Sequence, residues 1–137
     1  FTTALTPDEV LVEIELPFAE KNTGWSFMEV APRSGDYAMM GVATLVTLDN
    51  NKKCKQVKLV YLNAGDGPVE AIEAEKLLEG NIVNDELINS AASHASEKEI
   101  TPFGNIHASV DFQRHLANSL TKQTLKQALQ RAEETLV

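Results

Sequence analysis

Apolar and polar positions alternate along the first half of the chain and recur at helical spacing along the second. In residues 9–16, Val10, Val12, Ile14 and Leu16 fall on one face and Leu11, Glu13 and Glu15 on the other. That is the period of a strand, and Pro17 ends it because proline offers no N–H to a ladder. Residues 25–30 are a weaker strand candidate, with Trp25, Phe27 and, as a third candidate, Val30 pointing inward. The turn chemistry of Asn22-Thr23-Gly24 leads into it. Residues 38–48 carry the strongest strand pattern. Met40, Val42, Thr44, Val46 and Leu48 share one face, and Gly41, Ala43, Leu45 and Thr47 the other. The small Gly41 and Ala43 predict a close neighbour on their side, expected to be a helix. Asp49-Asn50-Asn51-Lys52 reads as a hairpin turn, and residues 54–62 return as the partner strand.

The period then lengthens. Asp66-Gly67-Pro68 leads into a helix predicted over residues 69–79, with proline near its first turn and Gly80 as its C-terminal cap. A second helix starts at Asn84 or Asp85, with Leu87, Ile88, Ala91, Ala92 and Ala95 as its apolar stripe. Residues 101–105 form a loop, and Ser109 caps a long helix running to about Thr135. On that helix Leu116, Ala117, Leu120, Thr124 and Ala128 lie on one side. Leu125, Leu129, Ala132 and Leu136 fall roughly opposite. Either the C-terminal half meets a second surface, such as a partner subunit, or the chain end frays. Strands followed by helices predict an α+β domain, an antiparallel sheet of three to four strands packed against a layer of about three helices.

Length and charge narrow the function classes. The 137 residues fit one domain, with residues 1–24 as a strand and linker ahead of the main body. A net charge of −8 disfavours nucleic acid and anionic membrane surfaces as partners. Lys52, Lys53, Lys55 and Lys58 are the one basic cluster, and a solvated strand edge accounts for them. No stretch reaches the ~20 apolar residues of a membrane span. The single Cys54 rules out an intrachain disulfide and fits a reducing, cytoplasmic compartment. The chain opens on Phe1 rather than Met, as a piece of a longer polypeptide or a processed terminus would.

Candidate chemistry is sparse. His94, His107 and His115 lack metal-ligand spacing, and there is no phosphate-cradling glycine loop or nucleophile elbow. Two readings of Cys54 compete. The preceding lysines would lower its pKa, whereas the start of a strand calls for a small, half-buried side chain. One loop stands apart, Arg33-Ser34-Gly35-Asp36-Tyr37, at the mouth of the main strand. Gly35 permits a tight turn, Arg33 offers planar donors to a phosphate, a carboxylate or a flavin carbonyl edge, and Tyr37 presents a ring that can cover a flat heterocycle. Turn chemistry with a core-edge tyrosine and a ligand-facing loop both fit these residues.

The segment from Phe27 to Ala43, FMEVAPRSGDYAMMGVA, resembles the FxEVAxRxGDYAxxGVA stretch of the FAD-binding subunits of molybdenum hydroxylases. Within them it is similar to the CO dehydrogenase flavoprotein C-terminal domain. Residues 4–17 resemble the family's LxPxE linker and the strand after it. Residues 68–80 resemble its PxRA…AExxLxG helix, and residues 109–117 its SxxYRxxLA helix. Phe112 and Gln113 stand where the family commonly has tyrosine and arginine. Pro32 and Ser34 replace basic residues, and Gln123 replaces an arginine.

The resemblance implies a redox role. Arg33, Ser34, Gly35, Asp36 and Tyr37 would lie beside the isoalloxazine end of an FAD that an N-terminal FAD-binding domain, outside this chain, mostly holds. Molybdenum cofactor and 2Fe–2S clusters would belong to partner molybdenum and iron–sulfur subunits, in keeping with the lack of cysteine clusters here. The other reading is a free-standing binding or assembly module of the same fold without flavin.

Overall fold

The computed structural model describes residues 3–135. Period-two patterning closes on itself at Asp49, whose carboxylate accepts from the Asn51 and Lys53 amides, both at 2.8 Å. The result is an antiparallel meander of β1 (Thr23–Val30), β2 (Met40–Leu48), β3 (Cys54–Leu62) and the short β4 (Val69–Glu70), in that spatial order. Helices α1 (Ile72–Leu78), α2 (Asp85–His94) and α3 (Val110–Glu134) follow, and a π-helical turn over Ala95–Glu99 extends α2. This is the α+β architecture expected from the sequence. Asn84 caps α2 by accepting from the Leu87 amide, Ser109 caps α3 through Phe112, and Gly80 ends α1 with φ of +77°.

The core lies between one face of the sheet and the helices. Met40, Val42, Val46, Leu48, Val57, Leu59 and Tyr61 are all buried there. The same face carries hydroxyls. Thr44 donates to Thr124 at 2.8 Å, and the Tyr61 and Thr121 hydroxyls meet at 2.6 Å. Burial pushes the Tyr61 phenol well above its ordinary pKa. Glu75 of α1 is a buried carboxylate that accepts from the Leu59 amide at 2.8 Å. Burial raises its pKa against that hydrogen bond.

Several expectations change. Residues 9–16 pair with no strand among the described residues, and Val10, Val12, Ile14 and Leu16 are all exposed. The alternation is present, but a strand needs a neighbouring edge, and none is beside it. In β1 the buried residues are Gly24 and Ser26, while Trp25 and Phe27 face outward. Helix α3 imposes this choice. A Cβ on Gly24 would come within 1.9 Å of the Ala128 carbonyl oxygen, and Ser26 reaches Gln127 at 2.7 Å. The predicted helical neighbour of Gly41 and Ala43 is therefore absent from their side, because α3 packs on the opposite face.

The helix predicted over residues 69–79 begins only at Ile72. Val69 and Glu70 instead pair with Tyr61 and Val60, since the β3 edge offers free backbone groups to the chain leaving Pro68. On α3, Leu125 and Ala132 are buried in the same broad stripe as Ala117, Leu120, Thr124 and Ala128. The sheet and α2 flank this helix from two directions, which widens its apolar face. Leu136 lies outside the described residues.

Candidate functional site

The loop between β1 and β2 turns at Gly35, whose φ of +88° favours glycine. The Asp36 amide donates to the Arg33 carbonyl, and the Arg33 guanidinium donates to the Asp36 carboxylate, each at 3.1 Å. Arg33 and Asp36 thus close the bend on each other. Arg33, Ser34 and Gly35 are exposed, and Asp36 is half-buried. Tyr37 is 98% exposed, so it is no core-edge residue.

Tyr37 stands on the lip of a groove of about 680 Å³. That size is within the range of roughly 300–1,000 Å³ usual for small-molecule sites. Three loops wall it. Tyr37, Ala38 and Met39 form one side, Asn63 and Gly65 to Pro68 another, and Asn105, Ile106 and His107 the third. Ile106 is 94% exposed on the far lip, and Leu62 lies at the floor's sheet edge. Of the five residues singled out in sequence, the groove takes Tyr37, while Arg33, Ser34, Gly35 and Asp36 lie outside its lining. Sequence reasoning missed the other two walls. Asp66-Gly67-Pro68 read only as a turn leading into a helix, and His107 as a histidine without metal-ligand spacing. The usable signal was an exposed isoleucine between Asn105 and His107, in a loop with no apolar periodicity.

The remaining candidates resolve as structure. Cys54 is buried at the start of β3, and burial, aided by the nearby Glu79 carboxylate, pushes its thiol up to about 12. The two lysines before it do not activate it. Lys52 pairs with Glu133, Lys55 with Glu20, and Lys58 with Glu70 and Glu75, so the basic cluster is largely neutralised. No helix of the described residues is long and apolar enough to cross a membrane.

Comparison with known proteins places this geometry. The family described as CO dehydrogenase flavoprotein C-terminal domain matches residues 25–128. The alpha subunit of the 6-hydroxypseudooxynicotine dehydrogenase complex of Paenarthrobacter nicotinovorans is 32% identical over 98% of this chain and 45% of its own length. The glyceraldehyde dehydrogenase medium chain of Sulfolobus acidocaldarius is 32% identical over 93% of this chain and 44% of its own. The chain therefore spans a little under half the length of these relatives. Among solved structures, carbon monoxide dehydrogenase from Hydrogenophaga pseudoflava aligns with a TM-score of 0.79 at 22% identity, covering 85% of this chain and 40% of that one. Quinoline 2-oxidoreductase from Pseudomonas putida 86 aligns with a TM-score of 0.74 at 28% identity, covering 80% of this chain and 38% of that one. The match across the sheet and α3, with relatives of this identity over nearly the whole chain, shows that the chain belongs to the CO dehydrogenase flavoprotein C-terminal domain family, the C-terminal domain of the FAD-binding subunits of molybdenum hydroxylases.

Proposed function

We propose that this domain forms one wall of an FAD pocket in a molybdenum-containing hydroxylase or dehydrogenase and helps dock its partner subunits. The observation that carries the reading is the fully presented Tyr37 ring on the lip of a three-walled groove. The residues fit a flat heteroaromatic group. The lips are apolar, Gly65 and Gly67 keep one wall thin, and Asn63, Asn105 and His107 bring polar groups to the edge. Bound there, FAD would supply the redox chemistry, accepting electrons that come from a molybdenum centre by way of 2Fe–2S clusters in partner subunits. The domain's own share is positional. Tyr37 would cover a ring face, the Arg33–Asp36 pair holds the bend that presents it, and the loops would keep water from one side.

The arm before β1 supports the same reading. Its alternating apolar residues lie exposed and pair with no strand among the described residues, as expected for a strand that completes a sheet in an N-terminal FAD-binding domain. A cytoplasmic location belongs to the same proposal.

The test uses the full-length subunit in its complex, with Tyr37→Ala and Asp36→Ala. Tyr37→Ala should weaken FAD binding about tenfold, the equivalent of ~1.4 kcal/mol of ring contact. Asp36→Ala should shift the flavin reduction potential and slow electron transfer to it. Wild-type flavin content, potential and transfer rate in both variants would sink the reading in favour of an assembly module without flavin.

A further inference from the structure

The three walls of the groove come from distant parts of the chain, and two side-chain amides tie them together. Gln113, in the first turns of α3, is only 1% exposed. Its Oε1 accepts from the Gly104 amide at 2.8 Å, and its Nε2 donates to the Met39 carbonyl at 3.1 Å. Asn63 donates through Nδ2 to the carbonyls of Ala38 and Met39, both at 3.1 Å. Gly104 and Asn63 both have positive φ, +70° and +57°, so each loop turns sharply where it is clamped. Beyond Gly104, the Asn105 side chain accepts from the His107 and Ala108 amides at 2.8 and 2.9 Å and holds the Ile106 lip in shape.

The chemistry of the clamp is selective. The Gly104 N–H needs an acceptor and the Met39 carbonyl needs a donor, 65 residues apart in sequence. Gln113 serves both from inside the core, beside the Asn63 amide that also donates to the Met39 carbonyl. Glutamine does so, whereas glutamate lacks the donor, arginine and lysine lack the acceptor, and methionine lacks the donor and offers only a weak acceptor. Glycine at position 63 would keep the positive φ and lose the amide.

We infer that Gln113 and Asn63 are positioning residues for the flavin-side groove, locking the Tyr37–Met39 wall to the walls at 63–68 and 104–107. The inference rests on the FAD reading above. Gln113 is buried and outside the groove lining, so it acts through the loops it holds. A pre-shaped groove binds more tightly than one whose walls must be ordered on binding.

The experiment compares Gln113→Met, Gln113→Glu, Asn63→Gly and Tyr37→Ala in the full-length subunit. Readouts are FAD affinity by titration, visible circular dichroism of the bound flavin, and hydrogen exchange at the Gly104 amide. Gln113→Met should lose Gly104 protection and weaken FAD binding about tenfold, with altered flavin dichroism. Gln113→Glu keeps the Gly104 bond and should retain its protection with an intermediate FAD affinity. Asn63→Gly changes a surface side chain, so it reports on the clamp even if Gln113→Met fails to fold. It should weaken FAD binding severalfold. If Tyr37→Ala weakens FAD binding while Asn63→Gly and the Gln113 variants bind it as wild type does, the positioning role is overturned and the groove reading stands. If Tyr37→Ala also leaves FAD binding unchanged, both fall.

Discussion

The two faces of the sheet differ in cover: one packs its apolar residues into the core under the helices, and the other leaves them exposed. The face under the helices includes Gly24, Ser26 and Thr44, and its hydroxyls pair with Thr121, Thr124 and Gln127 of α3. The face turned away from the helices carries Trp25, Phe27, Leu45 and Leu62, with Trp25 60% exposed and held by the Arg131 guanidinium at 4.6 Å from its ring centre. Side-chain size explains the inner face. Helix α3 runs so close to β1 at Gly24 that a Cβ there would meet the Ala128 carbonyl, and small polar residues are tolerated because every buried side-chain polar atom among the described residues finds a partner. The outer face sets its apolar side chains among exposed Glu29, Gln56 and Lys58. At Leu62 this face runs into the groove.

The largest effect should come from closing the gap at the inner face. Gly24→Ala places a Cβ against the Ala128 carbonyl and should cost about 3 kcal/mol in urea denaturation, the upper end of overpacking penalties. Wild-type stability would mean that α3 stands further from β1. Removing one inner hydroxyl should cost less. Thr44→Val keeps the volume but deletes the bond to Thr124, and about 1 kcal/mol should be lost in the same assay. The outer face should respond least. Trp25→Thr with Phe27→Thr keeps strand-forming side chains and should change the stability of this domain by about 0.5 kcal/mol, as for surface substitutions. A loss as large as that of Gly24→Ala would show that the outer face is covered within the domain itself. Read beside the Tyr37 and Gln113 variants, these three changes separate fold stability from the groove: Thr44→Val should leave FAD affinity alone, and Gln113→Met should not.

The sequence by itself determined the class of the fold and most of its punctuation. The hairpin at Asp49, the Ser109 and Asn84 caps, the Gly80 stop and the family resemblance around Gly35 all depend on residues close together in the chain, where backbone preference and local hydrogen bonds suffice. It also picked out Tyr37, because an aromatic residue beside a Gly-Asp bend is legible locally. Tertiary structure decided three other things. It chose which face of β1 is buried, since alternation is symmetrical and only the approach of α3 at Gly24 separates the faces. It left residues 9–16 unpaired, since strand patterning cannot supply a neighbouring edge. It built the groove from the loops around Met39, Asn63 and Asn105, which the side-chain amides of Gln113 and Asn63 tie together across the chain. Such a site depends on long-range contacts, and no local pattern records which distant loops will meet.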